Sequence, residues 1–543
     1  MDKIKLWYEE MPEIFENEKK ILESRGFSLN KNNNTIEFVG ISSVLKEYPL
    51  RIIYPDGYPS FPPTVFSDVQ DDLVLIRHQT KLNKVLCCFG FSSERWRADF
   101  TAREVLQEAE ELITHFSPLT YDKDFVLNSD IVPEPRVNQY DYTSGGLLIP
   151  TPFGDFSFND LDVINEGTIR YPNNKTKRGI VSSIKVSGSI LVADKGYEHW
   201  FGGSTIYKTY IFKVDSPPPL TTTKISEWLK EKNIPYNHKK NQFLIFVFKD
   251  EWGHKGNMRM AWVALKITQG QAQWIRCYLV SSDDINIRTP YGSKLSDKRV
   301  MVVGVGSLGS IVSTTLAQEG IGKFHLFDFD IYEPANTIRH QVRQSLFALP
   351  KVDGVAERIL EMTPKADISI YRMAIGSGKD QKGYQKFIDI LKNSDVVIDT
   401  TGEHSVSHLL NRLCVQYKVP LVVGSVTNGA WSCEIVKYIP NYSGCWGCWN
   451  QNFGHMYPPS SPKGQIQFAP GCDQPTFTGG ISSINIAGGL VSQAIIDILL
   501  NVELDDKQYI VWSERDKEGN RLYSIDYKTN PVLKDCVLCN EDK

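Results

Sequence analysis

"KRVMVVGVGSLGSIVSTTLAQEG", residues 298–320, reads as an apolar strand, a glycine turn and a helix in one continuous run. Consecutive apolar residues from Val300 to Val303 suit a strand buried on both faces, and Gly304, Gly306 and Gly309 form G-x-G-x-x-G where strand gives way to helix. Glycines in that place permit a tight turn and let backbone N–H groups approach a phosphate at the positive end of the helix. Working outward, "KFHLFDFD" (323–330), "SDVVIDTTG" (394–402) and "PLVVGSV" (420–426) read as further buried strands. Strands alternating with helices predict an α/β, doubly wound parallel sheet in the C-terminal half. Asp328 follows the glycine turn by about 20 residues, where an acid bonds a ribose hydroxyl.

The glycine fingerprint alone does not choose a nucleotide, because NAD and FAD sites share it. Asn336, Arg339 and Lys351, in "DFDIYEPANTIRHQV" and "LPKVDGVAERI", add an amide and two cations just beyond the ribose acid. A triphosphate cleaved between its α and β phosphates needs cations on its developing charge, whereas a dinucleotide pyrophosphate rests on the glycine loop. The bland alternative is a solvated charged loop. Farther on, "CWGC" (Cys445, Cys448) and "CVLC" (Cys536, Cys539) form the paired thiolate set of a closed, structural Zn²⁺ site, with a redox CxxC as the competing reading. Between these pairs Cys472 stands alone in "FAPGCDQPTFTGG" (468–480), a Gly- and Pro-bounded loop that suits a nucleophilic thiol, with an incidental loop cysteine as the bland alternative. Cys277, Cys414 and Cys433 sit in apolar contexts and read as core.

Length and charge bound the rest. The 543 residues exceed one core and predict three or four domains by the usual size prior. Hydrophobic residues make up 41% and charged residues 23%, with net charge −4, which gives no basic excess for nucleic acid or an anionic membrane. The first twenty residues lack the apolar run of a signal peptide, and no stretch reads as a membrane span. Ten cysteines without a secretion signal predict a reducing, cytoplasmic setting.

The first 120 residues read as helix, strands, helix. Ile4, Trp7, Met11, Ile14, Phe15 and Leu22 recur at helical spacing up to Gly26; extended segments follow; "YPSFPPTVF" (58–66) forbids a regular helix. Thr101 and Glu104 predict a capping box for a helix ending before Pro118. Residues 121–150 read as a linker. Residues 151–290 offer strands and one helix without a chemical motif, a middle β-rich spacer or docking domain. Residues 291–543 complete the nucleotide and zinc-binding domain.

The stretch from Gly304 to Lys351 resembles the adenylation domain of ubiquitin-activating enzymes and of their ThiF and MoeB relatives. The resemblance implies that Asp328 binds ribose and that Asn336, Arg339 and Lys351 handle the phosphates of ATP. It also implies Mg²⁺, but the family's usual Asp is Gly402 here, which leaves Glu403 or Asp399 as substitutes. The paired CxxC is structural in that family, and Cys472 falls where single-domain activating enzymes carry their catalytic cysteine. Residues 1–116 resemble the ubiquitin-conjugating fold through "YPSFPP", His78, the cysteine pair of "KVLCCFG" (84–90) and Trp96, although Thr80 replaces the Asn that supports the oxyanion. Aligning His78 and Trp96 without a gap puts the acceptor at Cys88, while Leu86 as the preceding apolar residue favours Cys87.

Both resemblances in one chain match the activating and conjugating fusion proteins of bacterial CBASS anti-phage systems. They imply adenylation of the C-terminal tail of a cGAS-like nucleotidyltransferase, capture on Cys472, transfer to Cys87 or Cys88, and amide formation on an unknown amine target, by a homodimer. A ubiquitin-like modifier or sulfur carrier would use the same residues. A non-enzymatic scaffold with degenerate sites is the alternative of another class.

Overall fold

A computed structural model describes residues 5–32, 35–89, 95–121, 132–143, 145–172, 178–194, 197, 204–237, 241–281, 288–376, 381–462, 477–502 and 506–540. The chain divides into two compact units, one of Met1–Ile149, Phe156–Val192 and Gly203–Tyr278, the other of Pro150–Asp155, Ala193–Gly202 and Leu279–Lys543.

After a one-turn helix at Trp7–Glu10, which ends at Met11 and breaks the single helix expected there, the first unit has helix α1 (Pro12–Ser24) and the antiparallel strands β1 (Ser28–Asn32), β2 (Thr35–Ile41), β3 (Pro49–Tyr54) and β4 (Thr64–Phe66), paired in that order. Helix α2 (Ala102–Phe116) starts at the expected capping box: Glu104 accepts the Thr101 N–H at 2.7 Å, and the Thr101 side chain accepts that of Arg103. Its buried Val105, Leu106, Ala109, Ile113 and Phe116 complete a core with Leu22, Phe38, Leu50 and Ile52. Glu18 ties the layers together, accepting from the Tyr54 hydroxyl and the Ala102 N–H, each at 2.7 Å.

The same unit continues with β5 (Gly146–Ile149), β6 (Ile164–Pro172), β7 (Arg178–Val186), β8 (Ser189–Val192), β9 (Ser204–Lys213), helix α3 (Ile225–Glu231), β10 (Gln242–Trp252), β11 (His254–Thr268) and β12 (Gln271–Leu279). Strand β5 neighbours β12 and also pairs in parallel with the start of β7, so the sheet closes on itself and leaves few unpaired edges. Closure explains the unbroken apolar run of β10: Phe243 to Phe248 are all buried, with Leu244, Phe246 and Phe248 packed on Ile225 and Leu229 of α3. The stretch read as a linker therefore ends in a strand of this barrel.

The second unit is an eight-stranded sheet. Its elements are β13 (Arg299–Val303), α4 (Ser307–Gln318), β14 (Lys323–Phe327), α5 (Lys351–Met362), β15 (Asp367–Tyr371), α6 (Gln381–Lys392), β16 (Val396–Asp399), α7 (His404–Tyr417), β17 (Leu421–Val426), β18 (Ser432–Tyr438), α8 (Trp446–Phe453), α9 (Ile481–Leu500), β19 (Tyr509–Arg515) and β20 (Arg521–Lys528). The order is β15-β14-β13-β16-β17-β18-β19-β20, with the first five parallel and the last three antiparallel. Chain direction therefore switches sides at β13, and the crevice beyond the carboxyl ends of β13 and β16 is where such sheets bind ligands. Separate apolar cores on the two faces, one with α4, α5 and α9 and one with α6, α7 and α8, make the sheet doubly wound.

The sequence reads as holding no stretch of membrane-spanning length, but one helix of the second unit reaches it. Helix α9, 20 residues without Asp, Glu, Lys or Arg except Asp497, is long and apolar enough to cross a membrane. Most of it is buried, and it packs along α4 as the central helix of one core.

Candidate functional site

At the end of β13 the chain turns through Gly304, whose φ of +83° only glycine adopts freely. A side chain on Gly309 would meet the Gly304 carbonyl oxygen at 1.9 Å, so Gly309 lets α4 approach the strand. Gly306 caps α4 and faces open space, leaving room for a ligand. Asp328 lies beside this turn: one carboxylate oxygen accepts the Val305 N–H at 2.8 Å and the other that of Asp330 at 2.9 Å. Burial raises its pKa, while those N–H groups and Lys351 oppose the rise. Lys351, the first residue of α5, pairs with Asp330 at 2.6 Å. The Asn336 side chain accepts the Glu333 N–H at 3.0 Å and opens the short turn Pro334–Arg339.

Arg339 closes that turn half-buried. It donates to the Phe477 carbonyl and lies over the Phe477 ring, but its buried Nε has no hydrogen-bond partner. Desolvation lowers its pKa, the signature of a cation held where an anion would relieve it. His340, not foreseen from the sequence, meets the Val305 carbonyl with Nε2 at 2.8 Å, while its Nδ1 accepts the Val342 N–H at 3.3 Å. That pattern fixes a neutral imidazole with its proton on Nε2, and desolvation pushes its pKa down to about 4. Its position beside Arg339 was the available signal.

Of the acids offered for Gly402, Asp399 does not serve. Its buried carboxylate accepts from the Thr401 N–H at 3.0 Å, the Thr401 hydroxyl at 2.7 Å and the Ser407 hydroxyl at 2.6 Å, all of which brace the start of α7. Glu403 is exposed there, and Gly402 itself turns with φ +71°. A Mg²⁺ ion held as in the resembled family thus lacks its usual carboxylate.

The four Sγ atoms of Cys445, Cys448, Cys536 and Cys539 lie within 4.8 Å of one another, with neighbouring separations of 3.9, 3.7, 3.4 and 3.5 Å. Sulfurs about 2.3 Å from a central Zn²⁺ would be about 3.8 Å apart, so the set fits that ion. The Asn411 amide points at Cys445 Sγ at 3.6 Å and the Leu533 N–H at Cys448 Sγ at 3.5 Å, donors suited to stabilising thiolates. Neighbouring thiols and the Asn411 amide hold Cys445 far below the ordinary thiol range.

Cys472 lies outside the described residues. Its flanks converge on the turn between β17 and β18: the Ser461 N–H donates to the Asn428 carbonyl at 2.9 Å, the Thr478 hydroxyl to Asn428 Oδ1 at 2.9 Å, and the Thr427 hydroxyl to the Pro459 carbonyl at 2.8 Å.

In the first unit the adjacent cysteines separate. Cys88 packs against the core and burial raises its thiol well above the ordinary value. Cys87 is exposed, its N–H held by the His78 carbonyl at 2.8 Å, while desolvation and then Glu134 push its thiol up to about 11. The Thr80 hydroxyl donates to Asn83 Oδ1 and accepts the Val85 N–H at 3.0 Å, so it braces the 80–85 turn rather than facing an oxyanion. Glu134 was not foreseen, because "VPEPR" carries no periodicity and its neighbours are distant in sequence.

Residues 283–536 match the model of the ThiF family. Among curated relatives, protein y4oA of Sinorhizobium fredii is 27% identical over 271 residues, 47% of this chain and 46% of its own length. Protein y4qC of the same organism is 23% identical over 476 residues, 79% of this chain and 78% of its own. Cap2 of Escherichia coli, an ATP-dependent ubiquitin transferase-like protein, is 25% identical over 274 residues, 47% of this chain and 43% of its own. The chain thus spans under half the length of y4oA and of Cap2. The doubly wound sheet, the glycine turn with its acid and cations, and the family match agree that the C-terminal half is a ThiF/MoeB-like adenylation domain.

Proposed function

We propose that this protein activates the carboxyl terminus of another protein with ATP and conjugates it to an amine. The observation that carries the first step is Arg339, a half-buried cation with an unpartnered Nε beside an open glycine turn. Asp328 would bind the ribose, and Arg339 and Lys351 would meet the phosphates as pyrophosphate leaves. With no carboxylate at Gly402, no step is assigned to Mg²⁺. Zn²⁺, where bound by Cys445, Cys448, Cys536 and Cys539, supplies no chemistry; it fastens the C-terminal tail to α8. Cys472 takes the acyl group as a thioester and passes it to Cys87, the exposed member of its pair.

Similarity to Cap2, an ATP-dependent ubiquitin transferase-like protein, supports a ubiquitin-like transfer. The proposed carrier is the C-terminal tail of a cGAS-like nucleotidyltransferase. A ubiquitin-like modifier or sulfur carrier would pass through the same residues. The test is pyrophosphate exchange with each carrier, followed by non-reducing gels. Arg339→Ala is expected to lower exchange by about 10²-fold. Cys472→Ala is expected to keep exchange and lose every thioester. Exchange absent with all carriers would instead favour a scaffold.

A further inference from the structure

The motif-free stretch after the first domain ends beside the exposed thiol. Residues Val132–Val137 form a strap fastened to the end of β10, within the same unit. Asp250 accepts the N–H groups of Arg136 and Val137, each at 2.9 Å, and Glu251 accepts that of Glu134 at 2.8 Å. The pairing of β10 with β11 shifts between Glu251 and Trp252, an irregularity of the kind that re-aims side chains. Glu251 also takes both terminal nitrogens of Arg77, at 3.2 and 3.1 Å, and the Gly256 N–H at 3.1 Å. Arg77 reaches the Val132 carbonyl as well. Glu134 itself stands between Pro133 and Pro135, which fix its backbone, and its carboxylate accepts the His78 N–H and lies 3.6 Å from His78 Nδ1. His78 is the residue whose carbonyl holds Cys87.

From this placement we infer that Glu134 is the base that takes a proton from the amine attacking the Cys87 thioester, and that Glu251 and Asp250 are positioning residues for it. The inference rests on the conjugation reading above. It also gives the β-barrel a part in the site. In the step, a lysine ammonium gives one proton to the Glu134 carboxylate. The freed lone pair forms the C–N bond at the thioester carbonyl carbon, the C–S bond breaks, and the Cys87 thiolate takes the second proton from nitrogen. Glu134 then returns its proton to solvent. A thiolate as basic as that of Cys87 leaves slowly, which would hold the thioester until a deprotonated amine arrives. Among the described residues, the titratable and charged groups placed around Glu134 include His78, Cys87, Arg77 and Glu251.

The test avoids the unidentified carrier. The full-length chain is acylated with the mercaptoethanesulfonate thioester of acetylglycine, and acyl-Cys87 is followed by mass spectrometry during a chase with free lysine or with hydroxylamine, which is uncharged at neutral pH. Glu134→Gln is expected to load like the wild type, to lose about 10²-fold in discharge to lysine, and to keep its discharge to hydroxylamine within about threefold. Its lysine rate should climb about tenfold per pH unit toward the amine pKa of about 10.4, whereas the wild-type profile should be shallower. Glu134→Asp should recover part of the lysine rate. Equal lysine discharge by wild type and Glu134→Gln would overturn the role of Glu134 and leave Cys87 as acceptor. Failure of Cys87 to load in the wild type would overturn both, and an equal loss toward lysine and hydroxylamine would reduce Glu134 to a structural role.

Discussion

Two sets of cysteines in this chain have opposite fates. In the second unit, Cys445, Cys448, Cys536 and Cys539 point their sulfurs at one another and receive amide donors from Asn411 and Leu533. In the first unit, Cys87 and Cys88 are neighbours in sequence, yet one faces out, the other packs inward, and both thiols are pushed up by desolvation. Amide donors and neighbouring sulfurs surround the clustered thiols, which suits them to ligation, whereas desolvation dominates at Cys87 and Cys88 and favours the protonated thiol.

The largest effect expected comes from breaking the thiolate cluster. Cys536→Ser removes a ligand from the segment that α8 holds, so bound zinc should vanish and several kcal/mol of stability with it, a fall of about 10–20 °C in Tm. Metal analysis and thermal unfolding together check this; a variant that keeps both zinc and Tm would show that the four sulfurs do not share an ion. The same loss is expected from a chelator applied to the wild type, and no comparable loss from Cys87→Ala.

The pair itself offers the next contrast. With a thiol pKa of about 11, Cys87 should be alkylated by iodoacetamide at a rate rising about tenfold per pH unit from pH 7 to pH 10, a span of about 10³. Cys88 should label only on unfolding. Peptide mapping of the alkylated chain reads both, and faster labelling of Cys88 in the native protein would reverse the assignment.

A third effect concerns a group held neutral, as Cys87 is. His340 keeps a pKa near 4 in the folded protein against an ordinary 6.5, so the unfolded chain binds the proton more readily. Its contribution to stability is complete above pH 6.5 and is lost as pH falls toward 4, amounting to about 3 kcal/mol by pH 4. His340→Gln should flatten that part of the pH dependence of unfolding. If both proteins lose stability in parallel between pH 6.5 and 4, the imidazole is not what titrates.

How legible the molecule is in its sequence follows from what each signal depends on. The strand, glycine turn and helix at 298–320, the capping box at Thr101 and the paired CxxC are local patterns with local physical causes, and each has its counterpart in the fold. Arg339 was legible as a cation near phosphate, but its unpartnered Nε depends on Phe477, 138 residues away. Glu134 was illegible for the same reason: its position is set by Glu251, 117 residues on, and by two prolines that read only as linker. Adjacent Cys87 and Cys88 could not be told apart because their difference lies in which side of one short segment the core occupies. Asp399 looked available as a metal ligand until its three donors, two of them on Thr401, were seen.

The smallest effect expected separates bracing from catalysis at the acceptor segment. The Thr80 hydroxyl gives its single proton to Asn83 and accepts the Val85 N–H, two of the bonds that shape the turn before Cys87, alongside the backbone bonds between Thr80 and residues 84–85. Thr80→Val keeps the shape of the side chain and removes both, so it should cost about 1 kcal/mol of stability. Once Cys87 is acylated, the rate of discharge to lysine should change by less than about threefold. A hydroxyl that donated to the oxyanion would instead be worth about 10²-fold, because the charge it stabilises exists only in the transition state. A loss of that size in the lysine chase, with Tm unchanged, would return Thr80 to the chemistry and require the turn to open before transfer. A loss of Tm alone would leave the oxyanion to backbone N–H groups.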